Sequence, residues 1–181
     1  MNGAQLHLAI NHIPVFVTIT GALVLLYGLL KKRSQVTDTG LMIIFAAGIF
    51  TIPVFLSGEA AEEVAEDLAG VSRPLIEAHE AFARIALWSM VITAAMSLSA
   101  LFFRKRASLA KGLTFTALLL SMVSFGIASY TAHSGGEIRH PEIRQGGDVL
   151  TPDEAENMNE GEGPKRKRKG RAINDGAQRP A

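Results

Sequence analysis

Four apolar runs, each close to the length of a membrane-spanning helix, constrain this chain more than any other feature. They cover about residues 6–30, 41–58, 81–103 and 113–133, and each is almost free of charge. A bilayer core about 30 Å thick needs roughly 20 helical residues to cross it. A backbone in lipid must satisfy its own hydrogen bonds, so all four runs are expected to be α-helices. The sequence therefore predicts an all-α, four-helix transmembrane bundle of up-down-up-down topology.

Composition agrees with a membrane protein. Of 181 residues, 48% are hydrophobic, and the mean hydropathy is +0.23 even though the last segment is polar. These values exclude an ordinary soluble globule and a disordered chain. The absence of cysteine excludes disulfides, thiolate metal sites, iron–sulfur clusters and covalently attached haem. We divide the chain into a transmembrane domain, 1–142, and a disordered polar tail, 143–181, that carries the basic run Lys165–Lys169.

The basic residues predict the orientation of the spans. Lys31–Arg33 follows the first run, and Arg104–Arg106 with Lys111 separates the third run from the fourth. Loops rich in lysine and arginine stay in the cytoplasm, so the start of the membrane domain and everything after residue 132 are expected outside. Lys165–Lys169 lies beyond the reach of this rule. The expected location is the bacterial inner (plasma) membrane, with the lipid bilayer as partner and no nucleic acid.

With this orientation, all five histidines fall at the outer end of the bundle. An ionisable side chain close to the membrane core is costly unless it has partners, and such residues are functional candidates. We expect four of them to bind a cofactor: His7, His12, His79 and His133. Three further residues are expected as alternative metal ligands or as groups that hydrogen-bond to the ligands: Glu59, Glu80 and His140.

Histidine and carboxylate side chains together suit zinc, iron or copper, whereas two histidines on facing helices suit haem b. Glu-x-x-His pairs, which mark many non-haem centres in helix bundles, are absent from the sequence, which favours haem b slightly. The expected role is electron transfer or metal handling beside a redox or membrane-complex partner. Two alternatives remain open: a zinc-dependent membrane hydrolase, and a structural subunit of a membrane complex without a cofactor.

Other local features of the sequence lead to further predictions. Gly135-Gly136 is expected to end the fourth helix, and the following segment, with Arg139, His140 and Glu142, is expected to fold over the bundle mouth as a lid. Pro14 and Pro53 lie inside spans and should bend them. Side chains on two other stretches are expected to have ordinary roles: a solvated stripe, Glu62, Glu63 and Glu66, and an ion pair, Glu80 with Arg84. We find no internal repeat in the sequence strong enough to argue from.

The motif LHxxxxHxP, from Leu6 to Pro14, resembles the start of an uncharacterised family of small bacterial four-span membrane proteins. The first helix of that family has the form LHPxxxxHFPI, from which this chain departs at Leu8 and Ile13. Three segments look like a subgroup of the family: SGEAAEE, IEAHE and GGEIRHPEI. The resemblance covers about residues 5–143 and implies four spans. By analogy alone, its histidines suggest a kinship with b-type membrane cytochromes.

Overall fold

The computed structural model describes residues 2–66, 71–140 and 143–144, and every regular element among them is a helix. The helices are α1 (Gly3–Ile10), α2 (Ile13–Leu30), α3 (Ser34–Leu56), α4 (Gly58–Glu66), α5 (Arg73–Phe102) and α6 (Ala107–Arg139). They form four continuous segments that are long and apolar enough to cross a membrane: Gly3–Leu30, Ser34–Glu66, Arg73–Phe102 and Ala107–Arg139. Their mean hydropathies lie between 1.7 and 2.2. The predicted all-helical class with four such helices is confirmed.

The first two segments are each interrupted near one end. α1 begins with a capping box, in which the Asn2 side chain accepts from the Gln5 backbone N–H at 2.8 Å. The chain then breaks at residues 11–12, just before Pro14, whose ring removes one backbone donor. A second break at Ser57 separates α3 from α4. The short helices α1 and α4 pack together, with Gly3 directly against Ala60.

The long helices pair as two antiparallel hairpins, α2 with α3 and α5 with α6. Glycine allows α2 and α3 to approach each other closely, because a Cβ added to Gly40 of α3 would lie 2.5 Å from the backbone nitrogen of Leu25 in α2. A hydrogen bond of 2.9 Å between the hydroxyls of Thr93 and Ser124 joins the second pair. Small residues and hydroxyls of this kind hold helices together where lipid removes the hydrophobic driving force.

The two hairpins pack on each other mainly through α3 and α5. Gly48 permits this approach, since a Cβ there would lie 2.5 Å from the Cβ of Ala94 and 2.8 Å from the carbonyl oxygen of Met90. At the end with the basic turns, Arg104 reaches Asp38 at 3.7 Å and links one hairpin to the other. A fully buried apolar cluster lies in the bundle: Leu25, Leu41, Ile44, Ala100 and Ala117.

The prediction that Gly135-Gly136 ends the fourth helix is wrong. α6 continues through both glycines to Arg139, and the backbone N–H of His140 donates to the carbonyl of Gly136 at 2.9 Å. Glycine lowers helix propensity but does not forbid a helix, and here the helix gains a packed neighbour, because the His79 ring lies against Gly135. Arg139 therefore lies in the helix, not in a lid.

Arg144 closes the far end of α6. Its guanidinium donates to the carbonyls of Glu137 and Ile138 at 2.7 and 2.9 Å, which satisfies two acceptors that a helix end leaves open. Glu142, nearly all of the predicted tail and the run Lys165–Lys169 lie outside the described residues.

Candidate two-histidine site

His7 is half-buried where α1 meets the end of α3. Its Nδ1 lies 3.0 Å from the carbonyl oxygen of Val54 and 3.1 Å from the hydroxyl oxygen of Ser57. The Ser57 hydroxyl itself donates to the Val54 carbonyl at 2.8 Å. Three polar groups thus meet on one side of the imidazole, and Gly58 lies beside the ring, 3.7 Å from its Cε1 if a Cβ is added.

His79 is half-buried where α5 meets α6, and its surroundings are of the same kind. Its Nδ1 lies 3.1 Å from the hydroxyl oxygen of Ser134, and the backbone of Thr131 lies beside the ring. The Ser134 hydroxyl donates to that same carbonyl at 2.9 Å. Gly135 lies against the ring more closely than Gly58 does against His7.

These contacts fix which ring nitrogen carries the proton. A carbonyl oxygen only accepts, so Nδ1 of His7 must donate to Val54. At His79, the Ser134 hydroxyl proton is committed to Thr131, so the serine oxygen accepts from Nδ1. A neutral imidazole with its proton on Nδ1 has its lone pair on Nε2. Both rings can therefore bind a metal or cofactor through the lone pair of Nε2, the arrangement common in metal-ligating histidines.

The two rings lie within electrostatic range of each other, although the residues belong to different hairpins. The structure thus brings together two of the four histidines predicted as ligands. They sit at one end of the bundle, opposite the basic turns that contain Lys31–Arg33 and Arg104–Arg106.

The other three histidines are exposed. His12 lies at the break between α1 and α2, and its Nδ1 contacts the side chain of Asn11. His133 is on the outside of α6, 57% exposed, with its Nε2 3.5 Å from a carboxylate oxygen of Glu137. His140 follows the last residue of α6. The contacts of His12 and His133 are thus with Asn11 and Glu137 of their own segments.

The carboxylates occupy helix surfaces. Glu59, expected as an alternative ligand, is exposed on α4. Glu63 and Glu66 are exposed, as expected of the solvated stripe, and Glu62 is partly buried. Glu80 pairs with Arg84 one helical turn away, as the spacing predicted. Among residues 2–66, 71–140 and 143–144, no group of three or more histidine, aspartate or glutamate side chains is placed to hold a metal ion.

Sequence reasoning missed the serines and glycines that hold the two rings. The signal was present as the dipeptide Ser-Gly, which occurs at Ser57-Gly58 and again at Ser134-Gly135, near the ends of the second and fourth runs. The second lies at the glycines that were expected to end the fourth helix. Each instead faces a histidine of the preceding long segment of its own hairpin.

Comparison with known proteins adds no relative: no family model, no curated protein and no solved structure matches this chain.

Proposed function

We propose that this chain is a multi-pass protein of the bacterial inner membrane that carries haem b at its outer face for electron transfer. The four apolar segments supply the spans. The basic turns on one end support an up-down-up-down orientation with that end in the cytoplasm and the histidine end outside. The resemblance of the first helix to the LHxxxxHxP family of four-span membrane proteins supports the same placement.

The observation that carries the cofactor proposal is the pair formed by His7 and His79. Each ring has Nδ1 held by a serine hydroxyl, and Nδ1 of His7 is also held by the Val54 carbonyl; the two rings lie within electrostatic range of each other. Two imidazoles can hold haem b without any cysteine, and the chain has no cysteine. Ligand sites in helix bundles are built from side chains of different helices, and these two histidines belong to α1 and α5.

The number of ligands favours electron transfer over substrate chemistry. A haem held by both His7 and His79 would have no iron position left for a substrate, and electron transfer is the chemistry that such a group would supply. The bound group would supply a one-electron redox couple. The protein residues set the ring orientation, the local polarity and the access of water, which are the protein's means of tuning that couple.

A reduced-minus-oxidised visible spectrum of the protein purified in detergent, after expression with haem supplied, tests the proposal. We expect a Soret band and sharp reduced α and β bands. His7→Ala and His79→Ala should each abolish them. The matched controls His12→Ala and His133→Ala change exposed histidines of the same two hairpins and should leave the bands in place.

Elemental analysis of the same sample separates the other functions. A colourless protein with stoichiometric iron or copper would favour metal handling over haem binding. Stoichiometric zinc would favour the zinc-dependent membrane hydrolase. A colourless, metal-free protein would overturn the cofactor proposal and leave a structural subunit of a membrane complex.

A further inference from the structure

The surroundings of His7 and His79 contain the same arrangement of a serine, a backbone carbonyl and a glycine. In each, a serine hydroxyl donates to the carbonyl three residues before it, and the imidazole Nδ1 lies 3.1 Å from that serine oxygen. In each, the residue after the serine is a glycine beside the ring. The histidine and serine are separated by 50 residues in the first case and 55 in the second.

The rest of each hairpin follows the same order. A histidine near the start of the first long segment is followed by an apolar run, a three-residue basic run, a second apolar run and a Ser-Gly pair. The basic runs are Lys31–Arg33 and Arg104–Arg106. The two hairpins therefore repeat the same order of features, and the two histidines occupy equivalent positions in that order.

The repeated arrangement supports a binding site more strongly than either histidine–serine contact does alone. A single buried histidine that bonds to a nearby hydroxyl is a common way to satisfy a polar group in a bundle. Two equivalent imidazoles, brought near each other by the packing of two repeats, form a site with two matching halves. A ligand bound between them would meet the same donor, in the same protonation form, from both sides.

We propose that Ser57 and Ser134 are positioning residues that hold His7 and His79 with Nδ1 protonated and Nε2 available to a cofactor. This inference rests on the proposed haem site for its purpose, but its geometry stands without a bound group. The Val54 carbonyl selects the protonated nitrogen of His7, and the Ser134 hydroxyl, whose proton goes to the Thr131 carbonyl, selects that of His79. The serine oxygens fix the ring planes. Groups that hydrogen-bond to a ligating histidine change metal affinity about 10- to 100-fold when removed.

The first experiment reads the imidazole protonation directly, without any cofactor. Protein labelled with ¹⁵N at its five histidines is studied by long-range ¹H–¹⁵N NMR in detergent at a pH where histidine is neutral. We expect His7 and His79, assigned by His7→Asn and His79→Asn, to show protonated Nδ1 and unprotonated Nε2. Ser57→Ala should shift only the His7 signals, and Ser134→Ala only those of His79.

Ser121→Ala is the matched control. Ser121 is buried on α6 and donates to the carbonyl three residues earlier at 2.7 Å, as Ser134 does, but no histidine lies on its oxygen. This variant should leave both histidine signals unchanged. A proton on Nε2 of His7 or His79 in the unaltered protein would overturn the inference, as would serine variants that move neither signal.

The second experiment measures haem binding and the midpoint potential of the loaded protein. We expect Ser57→Ala and Ser134→Ala each to weaken haem binding about tenfold, and the double variant about 100-fold, with a shifted potential and the Ser121→Ala control unchanged. Loaded serine variants with unaltered affinity and potential would overturn the positioning role while the haem function stands. A protein that takes up no haem but shows the expected Nδ1 protonation would overturn the haem function while the positioning stands.

Discussion

The imidazole of His79 lies directly on the backbone of Gly135, so that a Cβ at this position would be 2.9 Å from Cε1 and 3.3 Å from Nδ1 of the ring. Real Cβ contacts are not that short. Gly135 therefore leaves the space that the His79 ring occupies between α5 and α6. This glycine lies within a regular helix and not in a turn.

Gly135→Ala should displace His79. Alanine favours a helix over glycine by about 1 kcal/mol, but here its methyl group meets the ring, and overpacking of this kind costs about 1–3 kcal/mol. We expect no gain in thermal stability and a loss of the His79 Nδ1–Ser134 hydrogen bond, measured by unfolding in detergent and by histidine NMR.

The control for this substitution lies on the same helix. Gly126 has no atom within 4 Å of its added Cβ, so Gly126→Ala should keep the gain of about 1 kcal/mol and leave the His79 signals alone. Equal behaviour of the two variants would show that Gly135 does not position the ring.

Gly48→Leu should separate the two hairpins. A side chain at this position would meet Ala94 and the carbonyl of Met90, at the closest approach of α3 to α5. We expect a loss of about 1–3 kcal/mol or more and a weakened interaction between His7 and His79, since these residues belong to different hairpins. Thermal unfolding in detergent and the histidine NMR spectrum measure the two effects.

Gly112→Leu is the comparison for Gly48→Leu, because no atom lies within 4 Å of a Cβ at Gly112. It should unfold at nearly the same temperature as the unaltered protein. A Gly48 variant as stable as the Gly112 variant would contradict the close packing of α3 on α5.

Lys32→Gly should stabilise the turn between α2 and α3. Lys32 has φ 52°, in the left-handed region, and the backbone N–H of Arg33 donates to the carbonyl of Gly28 at 2.9 Å in a Schellman-type cap. A non-glycine residue in this region costs about 1–2 kcal/mol, so glycine should raise the free energy of unfolding by up to about 1 kcal/mol.

Lys31→Gly removes the same charge one residue earlier, where φ is −86°, and it should give no such gain. Thermal unfolding of both variants in the same detergent compares them. If Lys31→Gly stabilises as much as Lys32→Gly, the effect comes from charge and not from the backbone.

Single cysteines should report the proposed orientation, because the chain contains none of its own. Ser72 is exposed at the histidine end, before α5, and Ser34 is exposed at the basic end, at the start of α3. In spheroplasts, a membrane-impermeant maleimide should label Ser72→Cys at once and Ser34→Cys only after the membrane is permeabilised. The reverse pattern would place the histidine site in the cytoplasm.

Much of the architecture could be predicted because membrane crossing depends on local composition. The apolar runs predicted four long helices, and the structure has four of sufficient length and hydropathy. Their ends were less predictable: α5 begins at Arg73 and α6 reaches Arg139, since polar residues extend a helix beyond the apolar part without a change of backbone conformation.

The sequence by itself determined which residues lie in apolar helices, the clustering of histidine and basic residues relative to those helices, and local pairs such as Glu80 with Arg84. Tertiary structure alone decided that His7 meets Ser57 and His79 meets Ser134, while His12 and His133 face outward. The physical reason is that a few tens of degrees of helix rotation move a side chain from the interior to the surface. That rotation is set by close contacts between helices distant in sequence, such as Gly40 with Leu25 and Gly48 with Ala94.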